Sequence, residues 1–365
     1  MSKSADEWFN LGFDAYKNGN FDLALKYCDN ALNLNSNYYR AWGGKGVVYY
    51  NLQQYEQALK CFDNALTIQP NDYDAWVKKG VVYHNLQQYE QALKCYDNAL
   101  NLNSNLYESW FNQGNIYDDL QQNEQALKCY DNALNLNHNY DKAWGNKGIV
   151  YNNLQRYKQA LECFDKALNI NPNLYESWVN KGIVYKELQQ YEQALECYDK
   201  ALNLNPNLYQ AWNAKGIVDY KLKQYKQALE CFDKALNLNP NLYEAWVNKA
   251  IVIGKLQGDE ARIKIYDEGL KTLQTTYSEY KQGCAYLHWK KGVTHYDQGN
   301  IQLYHYRRSP RSYWEKAKIN YDQALSLLDI NKQEQLILYL EILQDMIKVC
   351  YALQDEVTAK GHLGK

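Results

Sequence analysis

The chain has 365 residues, with 40 Lys plus Arg against 42 Asp plus Glu and a formal net charge of −2. Charges of both signs are interspersed, so there is no long-range basic field, which argues against non-specific binding to nucleic acid or anionic lipid. The N-terminal stretch Ser2-Lys3-Ser4-Ala5-Asp6 has no apolar leader core, and no run approaches the ~20 apolar residues that span a bilayer. The expectation is therefore an intracellular, reducing, cytoplasmic location without membrane insertion.

Along the chain a tryptophan returns every 34 residues, at Trp8, Trp42, Trp76, Trp110, Trp144, Trp178, Trp212 and Trp246. A fixed period held through eight copies means one supersecondary unit stacked on itself. Each copy predicts a first helix carrying the Trp, a Gly four residues on and a Tyr at seven, as in Trp42, Gly46 and Tyr49. A polar turn such as Asn51-Leu52-Gln53-Gln54 follows. A second helix then carries Ala58, Phe62 and Ala65 at helical spacing. The small positions let helix backbones approach while rings fill the grooves beside them. Pro70, Pro172, Pro206 and Pro240 end their units, whereas Ser36, Ser104 and His138 stand there in other copies, predicting looser boundaries.

These residues resemble the tetratricopeptide repeat family, whose signature has Trp, Leu-Gly, Tyr, Ala, Phe, Ala and Pro at these spacings. The resemblance covers roughly residues 5 to 276. It implies an all-α, right-handed solenoid of about eight antiparallel helix pairs over 1–276. Most copies read Lys-Gly, as in Lys45-Gly46, where the family has Leu-Gly. A Lys stem can cover apolar surface there while its ammonium stays in water.

Residues that recur in every copy are architecture rather than catalysis. Cys61, Cys95, Cys129, Cys163, Cys197 and Cys231 occupy one repeat position on the packed stripe of the second helix, too far apart to bridge one another, and are expected to be structural thiols. Asp63, Asp97, Asp131 and Asp165 recur too often for a catalytic acid and are expected to be solvated or turn-facing. His84 and His138 lack Cys or carboxylate partners at ligand spacing, and His288, His295 and His305 crowd the irregular C-terminal part. No catalytic residue, metal site or cofactor is expected.

Function is then expected on the first helices, which line the inner groove in tetratricopeptide proteins. Two residues after the Trp stand Asn10, Gly44, Lys78, Asn112, Asn146, Asn180, Ala214 and Asn248. The repeat regions of O-GlcNAc transferase and kinesin light chain, which this part resembles, carry an Asn ladder at this place that holds the backbone of an extended peptide. An amide suits that task because it both donates and accepts. Asn115, Ile149 and Ile183, five residues after their Trp, add a further amide and apolar ground. The Lys-Asn-Arg clamp for acidic chaperone tails is incomplete, because Phe111, Glu176 and Asn180 stand where cations would be needed.

The copy at Trp246 decays, with Ala250 for the Gly and Arg262 for the Ala. Residues 277–330 predict a degenerate helix pair around Trp289 and Trp314, interrupted by an inserted loop at 300–312. Tyr304, Tyr306, Arg307, Arg308 and Arg311 in that loop are a candidate partner contact. Residues 331–365 predict a capping helix, Gln335 to Leu353, and a tail; polar outer faces protect solenoid ends. The functional expectation is a non-catalytic protein-interaction scaffold whose concave groove accepts an extended peptide or a partner helix. Self-association through a solenoid end stays open. The alternatives are a substrate-selecting regulatory subunit of an enzyme complex and an RNA-binding tetratricopeptide protein.

Overall fold

A computed structural model describes residues 3–274, 281–306, 309–329 and 332–363, with the side chains at 274, 304–306, 334 and 355–363 outside the description. All regular structure among the described residues is helical. The chain divides into two units, Met1–Ser177 and Trp178–Lys365.

In the first unit the repeats form helix pairs: α1 (Ala5–Lys17) with α2 (Phe21–Leu34), α3 (Tyr39–Asn51) with α4 (Tyr55–Ile68), and α5 (Tyr73–Asn85) with α6 (Tyr89–Leu102). Two more follow, α7 (Tyr107–Asp119) with α8 (Asn123–Leu136) and α9 (Asp141–Asn153) with α10 (Tyr157–Ile170). Helix α11 (Tyr175–Glu187) carries the division between the units. The second unit continues with α12 (Tyr191–Leu204), then α13 (Tyr209–Lys221) with α14 (Tyr225–Leu238) and α15 (Tyr243–Gln257) with α16 (Asp259–Gln274). After these come α17 (Lys281–Tyr306), α18 (Arg311–Ser326) and α19 (Gln333–Leu363). The expected all-α solenoid of stacked helix pairs is therefore the observed fold.

The turn inside each pair is fixed by backbone hydrogen bonds. After α3, Gln53 N–H donates to Tyr50 and Gln54 N–H reaches back to Tyr49, both at 2.9 Å, which satisfies carbonyls the helix end would otherwise leave bare. That geometry forces Gln53 to φ 58°, and Gln87, Gln121, Gln155, Gln189 and Lys223 adopt the same left-handed conformation. In the first copy Gly19 stands at this position, with φ 74°.

Between pairs, the Asn that follows the second helix makes a local turn: Asn35, Asn103 and Asn137 each accept the amide two residues ahead at 3.0–3.1 Å. The Trp of the next helix then donates its indole N–H to the carbonyl at the Pro position. Trp76 bonds Pro70 at 3.0 Å, Trp42 bonds Ser36 at 3.0 Å and Trp144 bonds His138 at 2.9 Å. The boundaries without Pro at Ser36 and His138 are thus held as firmly as the boundary with it, because the acceptor is a backbone oxygen that every residue carries.

Inside each pair the Gly lies against a buried ring. A Cβ at Gly46 would stand 2.7 Å from Phe62, and one at Gly148 would stand 2.7 Å from Phe164. Phe62, Phe164, Tyr96 and Tyr130 are at most 1% exposed. Each such ring contributes roughly 1.5–3 kcal/mol by leaving water.

Successive pairs are pinned by the recurring Lys and Asp, which changes the reading of both. Lys45 binds Asp29 and Lys79 binds Asp63 at 2.6 Å, and Lys147 binds Asp131, each reaching back to the preceding repeat's second helix. In the second unit Lys249 binds Asp233 at 2.8 Å and Lys215 binds Asp199. The ammonium groups are not left to water: Lys45 Nζ also lies 5.6 Å over the Trp42 ring. Where Gln113 replaces the Lys, its amide donates to Asp97 at 2.7 Å. The Asp residues are therefore inter-repeat acceptors rather than merely solvated carboxylates.

The C-terminal elements depart from expectation. The segment read as a loop over 300–312 is largely helix, since α17 runs unbroken to Tyr306 and α18 begins at Arg311. The first proline of this stretch is Pro310, and Gly299 is held inside α17 against the Trp314 ring, so the helix does not stop at Asn300. The final helix is also longer than read, spanning Gln333–Leu363, and its outward face is apolar rather than polar.

Candidate peptide-binding groove

The Asn positions do not form one uniform row. Asn10 is exposed on α1, whereas Asn112 on α7 and Asn146 on α9 are half-buried. Asn146 donates to Asn115 Oδ1 at 2.8 Å, and the same oxygen accepts the Tyr130 hydroxyl at 2.9 Å. Asn115 is consequently committed to its neighbours. In the second unit Asn180 is half-buried on α11, with Ile183 packed against Ala194, Tyr198 and Val218. Asn248 donates to Asn213 at 3.0 Å. Ile149 is half-buried on α9.

Lys78 belongs to a feature that the sequence reading missed. A cavity of about 450 Å³ opens among α1, α3 and α5, walled by Phe9, Phe13, Gly43, Gly44, Val47 and Cys28. Arg40, Asp72, Asp74 and Lys78 complete its lining, with Lys78 bound to Asp74. Three local choices create the space. Gly44 stands where the other copies carry larger residues, Gly43 where all of them but the copy with Gly145 do, and Cys28 stands at the position that holds Phe62 in the next copy. A Cβ at Gly43 would meet nothing within 4 Å. The legible signal was a pair of glycines inside a helix, which costs roughly 1 kcal/mol per residue in helix propensity and so marks a place where absence of side chain matters. Phe13, 48% exposed, presents an aromatic ring to this cavity.

Further along the first unit lies a polar patch. His84 Nε2 sits 2.9 Å from Asp119 Oδ2, a carboxylate partner the spacing did not reveal because the two lie one repeat apart. Burial, followed by the neighbouring Asp119, holds the Asp118 carboxyl above the usual range.

Of the arginine and tyrosine residues read as a candidate partner contact, Arg311 is the one whose side chain is described. Arg311 opens α18 and its Nε donates to Glu315 at 2.8 Å. Arg307 and Arg308, and the side chains of Tyr304 and Tyr306, lie outside the described residues.

The repeat-position cysteines are buried thiols outside any disulfide, and burial pushes Cys61, Cys95 and Cys163 up to about 11, away from the reactive thiolate. His288 and His295 on α17 are held below the usual histidine value by burial. His295 bonds Gln298 at 3.2 Å. Among the described residues no three His, Cys, Asp or Glu converge to hold a metal, and no helix is long and apolar enough to cross a membrane.

The tetratricopeptide repeat model matches seven consecutive windows, 5–38, 39–72, 73–106, 107–140, 141–174, 175–208 and 209–242. The chain belongs to the tetratricopeptide repeat family. Tetratricopeptide arrays serve as protein-interaction scaffolds and are typically non-catalytic, and this chain shares their architecture. Two solved structures with TM-scores of 0.50 and 0.53 share the fold. A tetratricopeptide repeat protein from Parabacteroides merdae is 17% identical over 68% of this chain and 98% of its own, with a TM-score of 0.53. PilF of Pseudomonas aeruginosa is 18% identical over 58% of this chain and 100% of its own, with a TM-score of 0.50. YrrB, a tetratricopeptide protein described as having an unusual peptide-binding site, is 22% identical over 51% of this chain and 96% of its own, with a TM-score of 0.44. Among curated proteins no match to this chain is found.

Proposed function

We propose that the chain is a non-catalytic scaffold that docks an extended peptide along the first helices of its N-terminal unit, with one bulky apolar side chain seated in the cavity among α1, α3 and α5. The observation that carries this reading is the cavity itself: about 450 Å³, walled by Phe9, Phe13 and Val47, and opened by Gly43 and Gly44 at a cost in helix propensity. Asn112 and Asn146, half-buried on α7 and α9, offer amide groups suited to peptide backbone. Lys78, Asp74 and Arg40 give the cavity lining both signs of charge, which favours a ligand with polar residues flanking its anchor.

The test is selection from a displayed library of random peptides against the folded full-length chain, followed by titration of enriched sequences. Enriched peptides share an aromatic or large aliphatic anchor. Gly43→Trp, whose Cβ has nothing within 4 Å and whose ring would occupy the cavity, abolishes their binding, and Asn112→Ala weakens it several-fold while the melting temperature stays unchanged. Absence of any enriched family, or undiminished binding to Gly43→Trp, overturns the reading.

A further inference from the structure

Helix α19 exposes an apolar face that has no cover among the described residues. Leu338, Ile342 and Val349 face inward, packed with Ala285, Trp314, Ala317 and Tyr321. Leu336, Leu340, Ile347 and Tyr351 lie on the opposite side, within about 60° of one another at 3.6 residues per turn. They are far from buried: Leu340 is 54% and Tyr351 65% exposed, with Ile337 beside them at 68%. The other residues of this sector, Gln333, Gln344 and Gln354, are uncharged. A solenoid face open to water normally carries charge, so a stripe of about 22 Å with none is built for contact.

The order of residues in the stripe points to what covers it. Reversing the helix about the midpoint between Leu343 and Gln344 maps the stripe onto itself: Leu336 exchanges with Tyr351, Leu340 with Ile347 and Gln333 with Gln354. A two-fold dimer requires this self-complementarity, because residue i must meet j while j meets i. Glu341 and Lys348 share one flank of the stripe. Under the same reversal the Lys348 of one copy falls within two residues, about 3 Å along the axis, of the level of Glu341 in the other. Opposite charges then face each other twice across the axis, while the uncharged stripe sets no like charges together.

We infer that α19 pairs antiparallel with α19 of a second copy of this chain, Leu340 packing on Ile347 and Leu336 on Tyr351, with Glu341 and Lys348 joined across the two-fold axis. One helix pair buries less than the roughly 1,200 Å² of a standard interface, so the association is weak and reversible. It is independent of the proposed peptide groove, which lies in the other unit.

Sedimentation of the full chain over a wide micromolar range tests this. The mass rises with concentration from one chain to two. Leu340→Glu with Ile347→Glu, both on the exposed face, leaves a monomer throughout with unchanged helicity. Glu341→Lys and Lys348→Glu each weaken the dimer at least several-fold. An equimolar mixture of those two variants recovers it as a heterodimer, because every cross-axis pair is again opposite in sign. A monomer at all concentrations overturns the inference, as does a dimer indifferent to the double Glu variant. Failure of the mixture to recover the dimer overturns the antiparallel register.

Discussion

The Tyr130 hydroxyl donates to Asn115 Oδ1 at 2.9 Å, and this bond has no counterpart at Tyr96 or Tyr198, whose hydroxyls are buried without a partner among the described residues. The difference lies in the facing residue of the first helix, which is Asn115 for Tyr130 but Val81 for Tyr96 and Ile183 for Tyr198. An unpaired buried hydroxyl costs about 1–3 kcal/mol, whereas a formed bond contributes about 1. Tyr96→Phe and Tyr198→Phe are therefore each expected to stabilise the chain by about 1 kcal/mol or more. Tyr130→Phe is expected to destabilise it by a similar amount. Denaturant unfolding of the three variants checks the opposite signs.

Asp219 stands where Tyr49, Tyr83, Tyr117, Tyr151 and Tyr185 stand in other copies, and it is 2% exposed. The Cys231 thiol donates to it at 3.4 Å. Burial raises the Asp219 carboxyl above the usual range, while the Cys231 bond and Lys215 work in the opposite direction. Below the unfolded value of about 3.9 both states hold the proton and the contribution to stability is fully present. As the pH rises from there through the folded value, the unfolded chain releases its proton first and stability falls. Asp219→Asn lacks this fall, so its advantage over the native chain grows from pH ~4 upward and then levels off. Parallel stability profiles of the two proteins across that range would contradict the assignment.

Two glycine substitutions separate packing from helix propensity. Exchange of Gly for Ala inside a helix gains about 1 kcal/mol where space is free. Gly43 has nothing within 4 Å of an added Cβ, so Gly43→Ala is expected to raise the melting temperature. At Gly148 the added Cβ would stand 2.7 Å from the fully buried Phe164 ring. Overpacking there costs roughly 1–3 kcal/mol and outweighs the propensity gain. Calorimetry of Gly148→Ala should therefore show a lowered melting temperature.

The period of Trp8 through Trp246 determined the helix pairs, their order and their packed faces, because a 34-residue repeat of small and large positions has one economical way to bury itself. What the sequence left open was every relation between neighbouring copies. That Lys79 clasps Asp63, that His84 reaches Asp119 and that Asn146 turns to Asn115 depend on which side chains stacking brings within 3 Å, and one-dimensional spacing within a copy does not encode that. The cavity arose in the same way, since Cys28 on α2 and the Gly43-Gly44 pair on α3 belong to different helices and only packing sums their missing volume. The apolar face of α19 was hidden for the complementary reason: a helix apolar on two sides reads from sequence as core, and only the fold decides which side finds a neighbour.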